Sequence, residues 1–349
     1  MAPSESELTR IFKIIMILAG LVILIQAMIV SKAILIPLMM SFVIAIICLG
    51  PSQWLMAKGV PFWMATTIIV IVLSLVSFGS FFLLENSIQN FKGNIPEYSN
   101  KFKGLAENIA AFAGSKGIHF EGQLFANLLK PESAMKYASV FFQGLSSLLT
   151  NGFFVLITVI FILAESSGFT GKITRIPGNP EKRLELLKKV SVGVQEYMLI
   201  KSMTSFATGV LITITLLLLG VDYAFLWGML AFGFNFVPSI GSIIAAVPAV
   251  LLTLIQLGPI SAGLVALCYL VVNIVIGTLI EPQFMGKKLG LSTLVVFLSL
   301  VFWGWVLGPV GMLLSVILTM TLKIALDNHK STQWLGILLG PNPDEKTIT

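Results

Sequence analysis

Long apolar runs separated by short polar segments dominate the chain from about position 11 to about position 322. Six of them, at about 11–30, 33–51, 62–84, 139–164, 203–220 and 260–280, approach the roughly 20 residues that carry an α-helix across a bilayer core. Two more, at about 223–256 and 292–322, overshoot a single straight crossing. As one helix, Tyr223 to Gln256 would reach about 51 Å at 1.5 Å per residue, against a hydrocarbon core of about 30 Å. Each long run carries a break in its interior, Pro238-Ser239-Ile240-Gly241 in the first and Gly308-Pro309-Val310-Gly311 in the second. Proline has no amide hydrogen and glycine tolerates turn geometry, so a helix ends there. The arms that remain, about 22 Å each, are short for full crossings. The pattern therefore predicts an all-α, polytopic membrane protein with about six full spans and two Pro/Gly-broken helical hairpins, eight membrane segments in all.

The two broken segments resemble each other. FGFNFVPSIGSIIAAVPAVLLT (Phe232 to Thr253) and LVFWGWVLGPVGMLLSVILTMT (Leu300 to Thr321) both run from an aromatic-x-aromatic-Val element through a break ending in Gly to a small and aliphatic arm. Span 203–220 with its hairpin and span 260–280 with its hairpin then form an inverted repeat. Broken helices in corresponding halves are the sequence pointer to a transporter's substrate site. Three regions follow: a four-span part at 1–202, a transport core at 203–325 with its broken hairpins at 223–256 and 292–322, and a tail at 326–349. The first part carries two amphipathic inserts, about 86–136 outside and 165–202 inside. In the first insert Tyr98, Phe102, Leu105, Ile109 and Phe112 form one helical stripe, with Pro96 before it as a start signal. The second starts a basic amphipathic helix after Pro180 that continues towards Lys201 and suits the cytoplasmic face of the membrane.

Charge orients these elements. The net charge of +6 does not indicate nucleic-acid binding, because 15 of the 22 Lys and Arg fall on segments that are internal if the N-terminus is cytoplasmic. Both termini are then inside. A hairpin at 223–256 also keeps Lys287 and Lys288 on the inner face, whereas a straight crossing would export them. Cys48 and Cys268 lie in apolar runs and form no disulfide framework. The run from Ile11 to Val30 is long for a cleaved signal and reads as a retained first helix.

Chemistry is sparse. From Met203 to Ile280 the only ionised side chain is Asp222, and from Leu289 to Leu322 there is none. Hairpin tips expose backbone groups that lipid cannot satisfy, so they belong against protein or a watery cavity. Asn235, Ser239 and Ser242 offer hydrogen-bonding groups at the first tip, and Trp303 and Trp305 offer ring faces and an indole N–H at the second. Pro238, Gly241, Gly308, Pro309 and Gly311 shape the breaks, with close packing as the plain alternative for the two glycines that end them. Asn273 and Thr278 share a span and are candidates to face a cavity. Glu281 at the end of that span is a candidate proton or cation site, or simply a solvated helix-end carboxylate. Asp222 reads as a cap on the first hairpin. Catalysis is not expected: His119 and His329 lie in polar segments, and neither a metal-ligand spacing nor a phosphate-binding loop is present.

The strings FNFVPSIGSIIAAVPAVL and LIEPQFMGKKLGLSTLVVFLSLVFWGWVLGPVGMLLSV, with the order of spans, resemble the autoinducer-2 exporter family of bacterial membrane proteins. The likeness covers nearly the whole chain and is densest from about 195 to 325. The family's Pro-x-Ile-Gly turn falls on Pro238 to Gly241, and its Glu-Pro pair on Glu281-Pro282. Ser239 stands where Asn is common, and Ile317 where Pro is common. The resemblance implies location in the inner membrane, homo-oligomeric assembly (similar proteins form pentamers), no cofactor, and export of the small polar quorum signal autoinducer-2. Other members resemble sodium- or lithium-proton antiporters, which keeps a monovalent cation as the second candidate. A passive pore or scaffold is the third.

Overall fold

The computed structural model describes residues 5–115, 152–166, 168–169, 171–238, 240–285 and 290–341. Every long element among them is helical. In chain order they are α1 (Glu5–Val30), α2 (Lys32–Ala57), α3 (Phe62–Ser115), α4 (Gly152–Ser166), α5 (Pro180–Leu218), α6 (Ala224–Phe234), α7 (Gly241–Leu257) and α8 (Pro259–Val272). A π-helical segment (Asn273–Ile280) leads from α8 into α9 (Glu281–Met285), followed by α10 (Thr293–Leu307), α11 (Pro309–Asp327) and α12 (Gln333–Leu338).

Among the described residues, five helical stretches are long and apolar enough to cross a membrane: Lys32–Ala57, Phe62–Phe91, Pro180–Leu218, Pro259–Phe284 and Pro309–Asp327. That count differs from six full spans. The first expected span contributes only Ile15–Val30 as an apolar helix, and of 139–164 only the part within Gly152–Ser166 is described. The large side chains of α1 point outward, with Ile17 at 68% and Ile23 at 69% exposure. Exposed aliphatic side chains along an apolar helix suit contact with lipid, not water.

Two elements are longer than the sequence suggests. Helix α3 runs for 54 residues straight through Pro96, about 81 Å at the α-helical rise, so Pro96 starts no separate helix. Its far end carries Tyr98 beyond the apolar part, and Tyr98 is buried against the first hairpin. Helix α5 runs for 39 residues and joins the basic amphipathic stretch to the following span without a break at 202/203. Its start is built locally: Pro180 sits in the first turn, and the Asn179 side chain accepts from the Lys182 amide at 3.1 Å. Both features satisfy or remove otherwise orphaned amides.

Both long runs are broken where proline and glycine stand. The first stops at Phe234 and resumes at Gly241; the second stops at Leu307 and resumes at Pro309, across Gly308 at φ 72°. Each run also returns to where it started. The Asp222 amide donates to Gln256 Oε1 at 2.9 Å, and Gln256 Nε2 donates to the Gly220 carbonyl at 3.1 Å. At the second run, a Cβ on Gly290 would lie 3.9 Å from Lys323 Nζ. A straight 34-residue helix would hold its ends about 50 Å apart. The broken arms bring them together instead.

Among the described residues, three apolar clusters hold the helices. One joins α3, α5, α6, α7, α8 and the π segment around Trp227, Leu216 and Val265. A second joins α2, α5, α10 and α11 around Val194, Leu314 and Ile317, and both Phe236 of the first tip and Val310 of the second pack against it. The third joins α2, α3 and α4 around Ala45 and Val159.

Candidate functional site

The breaks are made by close approach of backbone. A Cβ on Gly241 would lie 1.7 Å from the Phe234 carbonyl oxygen, and one on Gly311 would lie 2.0 Å from the Trp303 carbonyl oxygen. Real Cβ contacts are never so short, so both positions require glycine for the same reason. In each hairpin the second arm starts against the last turn or two of the first. Pro238 lies in the first break, Pro309 begins α11, and Ser239 lies outside the described residues.

Several polar groups proposed for a solute are engaged within the protein. Asn235, nearly buried, donates through Nδ2 to Ser205 Oγ on α5 at 3.0 Å. An amide in an apolar environment needs such a partner. Trp303 Nε1 donates to Thr319 Oγ1 at 3.0 Å and so ties the two arms of the second hairpin. Trp305 faces outward. Asp222 does not cap α6: its carboxylate accepts from the Tyr98 hydroxyl at 2.7 Å, while Tyr223 precedes the helix in the left-handed region at φ 58°. Asn94 adds a bond to the Tyr223 hydroxyl at 2.7 Å. The extension of α3 thus clasps the start of the first hairpin. Burial first, and then the Asp222 hydrogen bond, push the Tyr98 phenol above its ordinary value, which extends its range as a donor further into alkaline pH.

Glu281 is not a solvated helix end. Its side chain is 13% exposed and lies 2.6 Å from Lys201 Nζ, whose side chain is 3% exposed. Lys201 stands on the same helix as Ser205, one turn away, and Thr204, Ser205 and Thr208 continue that buried polar stripe along α5. Sequence reasoning placed Lys201 at the end of a basic surface helix. The available signal was its position: it is the last cation before an uninterrupted apolar run. Removing two charges from water is unfavourable unless they meet, and here they do.

Asn273, by contrast, faces a cavity. Helices α7 and α8 are joined through Gly258 and pack side by side, so Ser242 at the start of α7 lies opposite Asn273 beyond the end of α8. Between them runs a groove of about 350 Å³ lined by Ser242, Tyr269 and Asn273 and by aliphatic side chains, among them Val247, Val250 and Leu251. The Tyr269 hydroxyl is buried and has no hydrogen-bond partner. Thr278 is exposed and does not line the groove. Asn273 also opens the π-helical segment, a rare form frequent at functional sites.

With two broken hairpins, a buried ion pair and a groove in place, comparison with known proteins decides the class. The profile of the AI-2E family transporter matches residues 11–331. The chain belongs to the AI-2E family of transporters. It is 34% identical over 327 residues to the AI-2 transport protein TqsA of Escherichia coli (strain K12), covering 94% of this chain and 95% of TqsA. It is 37% identical over 336 residues to a protein of Haemophilus influenzae (strain Rd), covering 94% and 96%. With YhhT of E. coli K12 it shares 33% identity over 328 residues, covering 94% of each. The last two are named as candidate transport proteins with no substrate. AI-2E family members are transporters, not enzymes, and this chain is a multi-pass membrane protein of that kind.

Proposed function

We propose that the protein exports autoinducer-2 from the cytoplasm by alternating access around its two hairpin tips. The observation that carries this reading is the likeness to TqsA across 94% of the chain, hairpins included. Geometry supports the mechanism. Hairpins that return to their starting side, with both tips packed against one apolar cluster, suit an inverted repeat whose halves open to opposite faces. In the orientation favoured by the positive-inside bias, both termini are cytoplasmic, the first hairpin opens outward and the second inward. The Lys201–Glu281 pair then lies near the inner face, at the entrance to the core. In this reading Asn235, Ser242, Asn273 and Trp303 line the route, shaped by Pro238, Gly241, Gly308, Pro309 and Gly311, whereas Trp305 faces outward and stands off it. The protein acts in the inner membrane as a homo-oligomer, a pentamer in the reading adopted here.

Sodium or lithium exchange for protons is the second reading, and one observation bears on it. Glu281 is the carboxylate such exchange would use, and it already holds an internal cation, Lys201, at 2.6 Å. An incoming cation would have to displace that ammonium, which ranks exchange below export. A passive pore or scaffold ranks third. The test is reconstitution into proteoliposomes with labelled autoinducer-2 and an internal pH dye under a sodium gradient. Export predicts signal flux that falls in Asn235→Ala and persists in Glu281→Gln. Sodium-dependent proton movement lost in Glu281→Gln, with no signal flux, would establish exchange instead.

A further inference from the structure

We propose that α12 is seated on the membrane surface from which the second hairpin enters, with Trp334, Ile337 and Leu338 among the acyl chains of an anionic leaflet and Lys330 and Lys182 at its headgroups. Placement is the first support. Helix α11 covers about 28 Å from Pro309 to Asp327, close to the thickness of the hydrocarbon core, so its end marks the surface. The chain then doubles back over 328–332, where Thr332 Oγ1 donates to the Leu326 carbonyl at 3.0 Å. Helix α12 follows and bridges the two arms of the hairpin. Gly336 lies so close to the end of α11 that a Cβ would stand 1.9 Å from Asp327 Oδ1. The Leu339 carbonyl accepts from the Ser292 amide, at the start of α10, at 3.1 Å, and the Leu339 side chain packs against the second apolar cluster. A short helix pinned to both points of membrane entry is held at the surface.

The outward side of α12 fits that surface. Trp334, Ile337 and Leu338, at i, i+3 and i+4, share one face and are 59%, 68% and 67% exposed. From Ser331 to Pro343 there is no ionised side chain. Leu339 bonds to the residue that caps α10, and two residues further on begins the exposed stripe Leu294, Phe297, Leu298 and Val301 of α10. The face of α12 thus continues a surface that already meets hydrocarbon, and tryptophan is enriched where such a surface reaches water. Charge matches an anionic leaflet. Lys330 is exposed just before α12. Beside the end of α11, Asp327 and Asn328 share a polar pocket of about 200 Å³ with Lys182, Glu185 and Lys189 of α5. Glu185 pairs with Lys189 at 2.7 Å and Asp327 with Lys323 at 2.6 Å, which leaves Lys182 without an ion pair among the described residues. From Gly171 to Val190 six Lys and Arg stand against two Glu. Anionic headgroups attract such a surplus of cations beside an apolar face. The inference requires no translocation, so it is independent of the export reading.

The test uses the full-length protein in a Cys48→Ala/Cys268→Ala background, with a nitrobenzoxadiazole label on Ser331→Cys, Ile337→Cys or Leu338→Cys. The nanodiscs contain phosphatidylglycerol and phosphatidylcholine, with a doxyl-lipid quencher near the headgroups. Labels at 337 and 338 should emit as in an apolar medium and be quenched several-fold more than the label at 331. The ratio of long- to short-lifetime label at 337 should fall about fivefold in Lys330→Gln and in Lys182→Gln, one cation each. It should fall further in phosphatidylcholine alone, and added inorganic phosphate should not restore it. Trp334→Ser, which leaves the inward side of α12 untouched, should lower the ratio at 338 about tenfold. Labels at 337 and 338 as hydrated as at 331 would overturn the proposal, as would quenching indifferent to lipid charge and to both lysines. So would restoration by free phosphate, which would put the anion in the pocket without a leaflet. Shielding of 337 from the quencher, with a high-yield bis-maleimide crosslink between two copies there, would assign the face to a second chain instead. Because no flux is read, failure here leaves the export reading standing, and the converse holds.

Discussion

Replacing Lys201 by Met would leave the Glu281 carboxylate almost buried without a counter-charge. The geometry sets the magnitude. A pair at 2.6 Å with side-chain exposures of 3% and 13% is in the buried class, where removal of one partner costs about 3–5 kcal/mol. An exposed pair at the same distance would contribute only about 0–1 kcal/mol. The informative comparison adds Glu281→Leu and the double variant Lys201→Met/Glu281→Leu. Each single change strands a charge, whereas the double change removes both charges and substitutes apolar volume, an exchange that is neutral or stabilising by about 1–4 kcal/mol in buried pairs. Reversible unfolding of the purified protein in mixed micelles measures all four corners of the cycle. The expected pattern is two singles destabilised by several kcal/mol and a double close to, or above, the parent. A cost below about 1 kcal/mol for Lys201→Met, with additive singles, would show the pair to be solvated and refute the reasoning.

Other perturbations test the remaining contacts. Gly241→Ala and Gly311→Ala should each abolish transport and lower the yield of folded protein, since a Cβ would overlap a carbonyl oxygen at 1.7 Å and 2.0 Å; Gly263→Ala, with nothing within 4 Å, is the control and should raise stability by up to about 1 kcal/mol. Tyr98→Phe removes a hydrogen bond to a carboxylate and should cost about 1.5–3 kcal/mol, read as faster proteolysis of the α3 extension. Because its phenol is raised in the folded state, the Tyr98 contribution is full below the ordinary tyrosine range and disappears only as pH climbs through the higher folded value; proteolysis rates should therefore be flat from neutral pH to about 9 and rise beyond about 10. Trp303→Phe should loosen the second hairpin by about 0.5–1.5 kcal/mol through loss of the Thr319 bond, detected as faster amide exchange across 303–319.

What the sequence disclosed was what local chemistry dictates. Apolar length predicted membrane helices, and Pro238 to Gly241 and Gly308 to Gly311 predicted breaks, because a missing amide and a missing Cβ act on their own turn. Pro96 is the counter-example. It resembles a helix start, yet α3 continues through it, since Phe91 and Tyr98 on either side of it pack on the first hairpin and tertiary contact outweighs the lost bond. Lys201 and Glu281 were individually visible, but a pair separated by 80 positions cannot be found by reading neighbours. The same holds for Asp222, whose partners Tyr98 and Gln256 lie on other helices. Tyr269 gave no signal at all. It is an aromatic residue in an apolar span, and only packing reveals that its hydroxyl is left unpaired.

Sidedness of the hairpin ends tests the account most directly. In a Cys48→Ala/Cys268→Ala background, single cysteines at 220, 256, 290 and 323 would be labelled with a membrane-impermeant maleimide in oriented vesicles. The account predicts that 220 and 256 react from one face and 290 and 323 from the other. Reaction of 220 and 256 from opposite faces would make the first broken run a full crossing and remove the basis for two opposed hairpins.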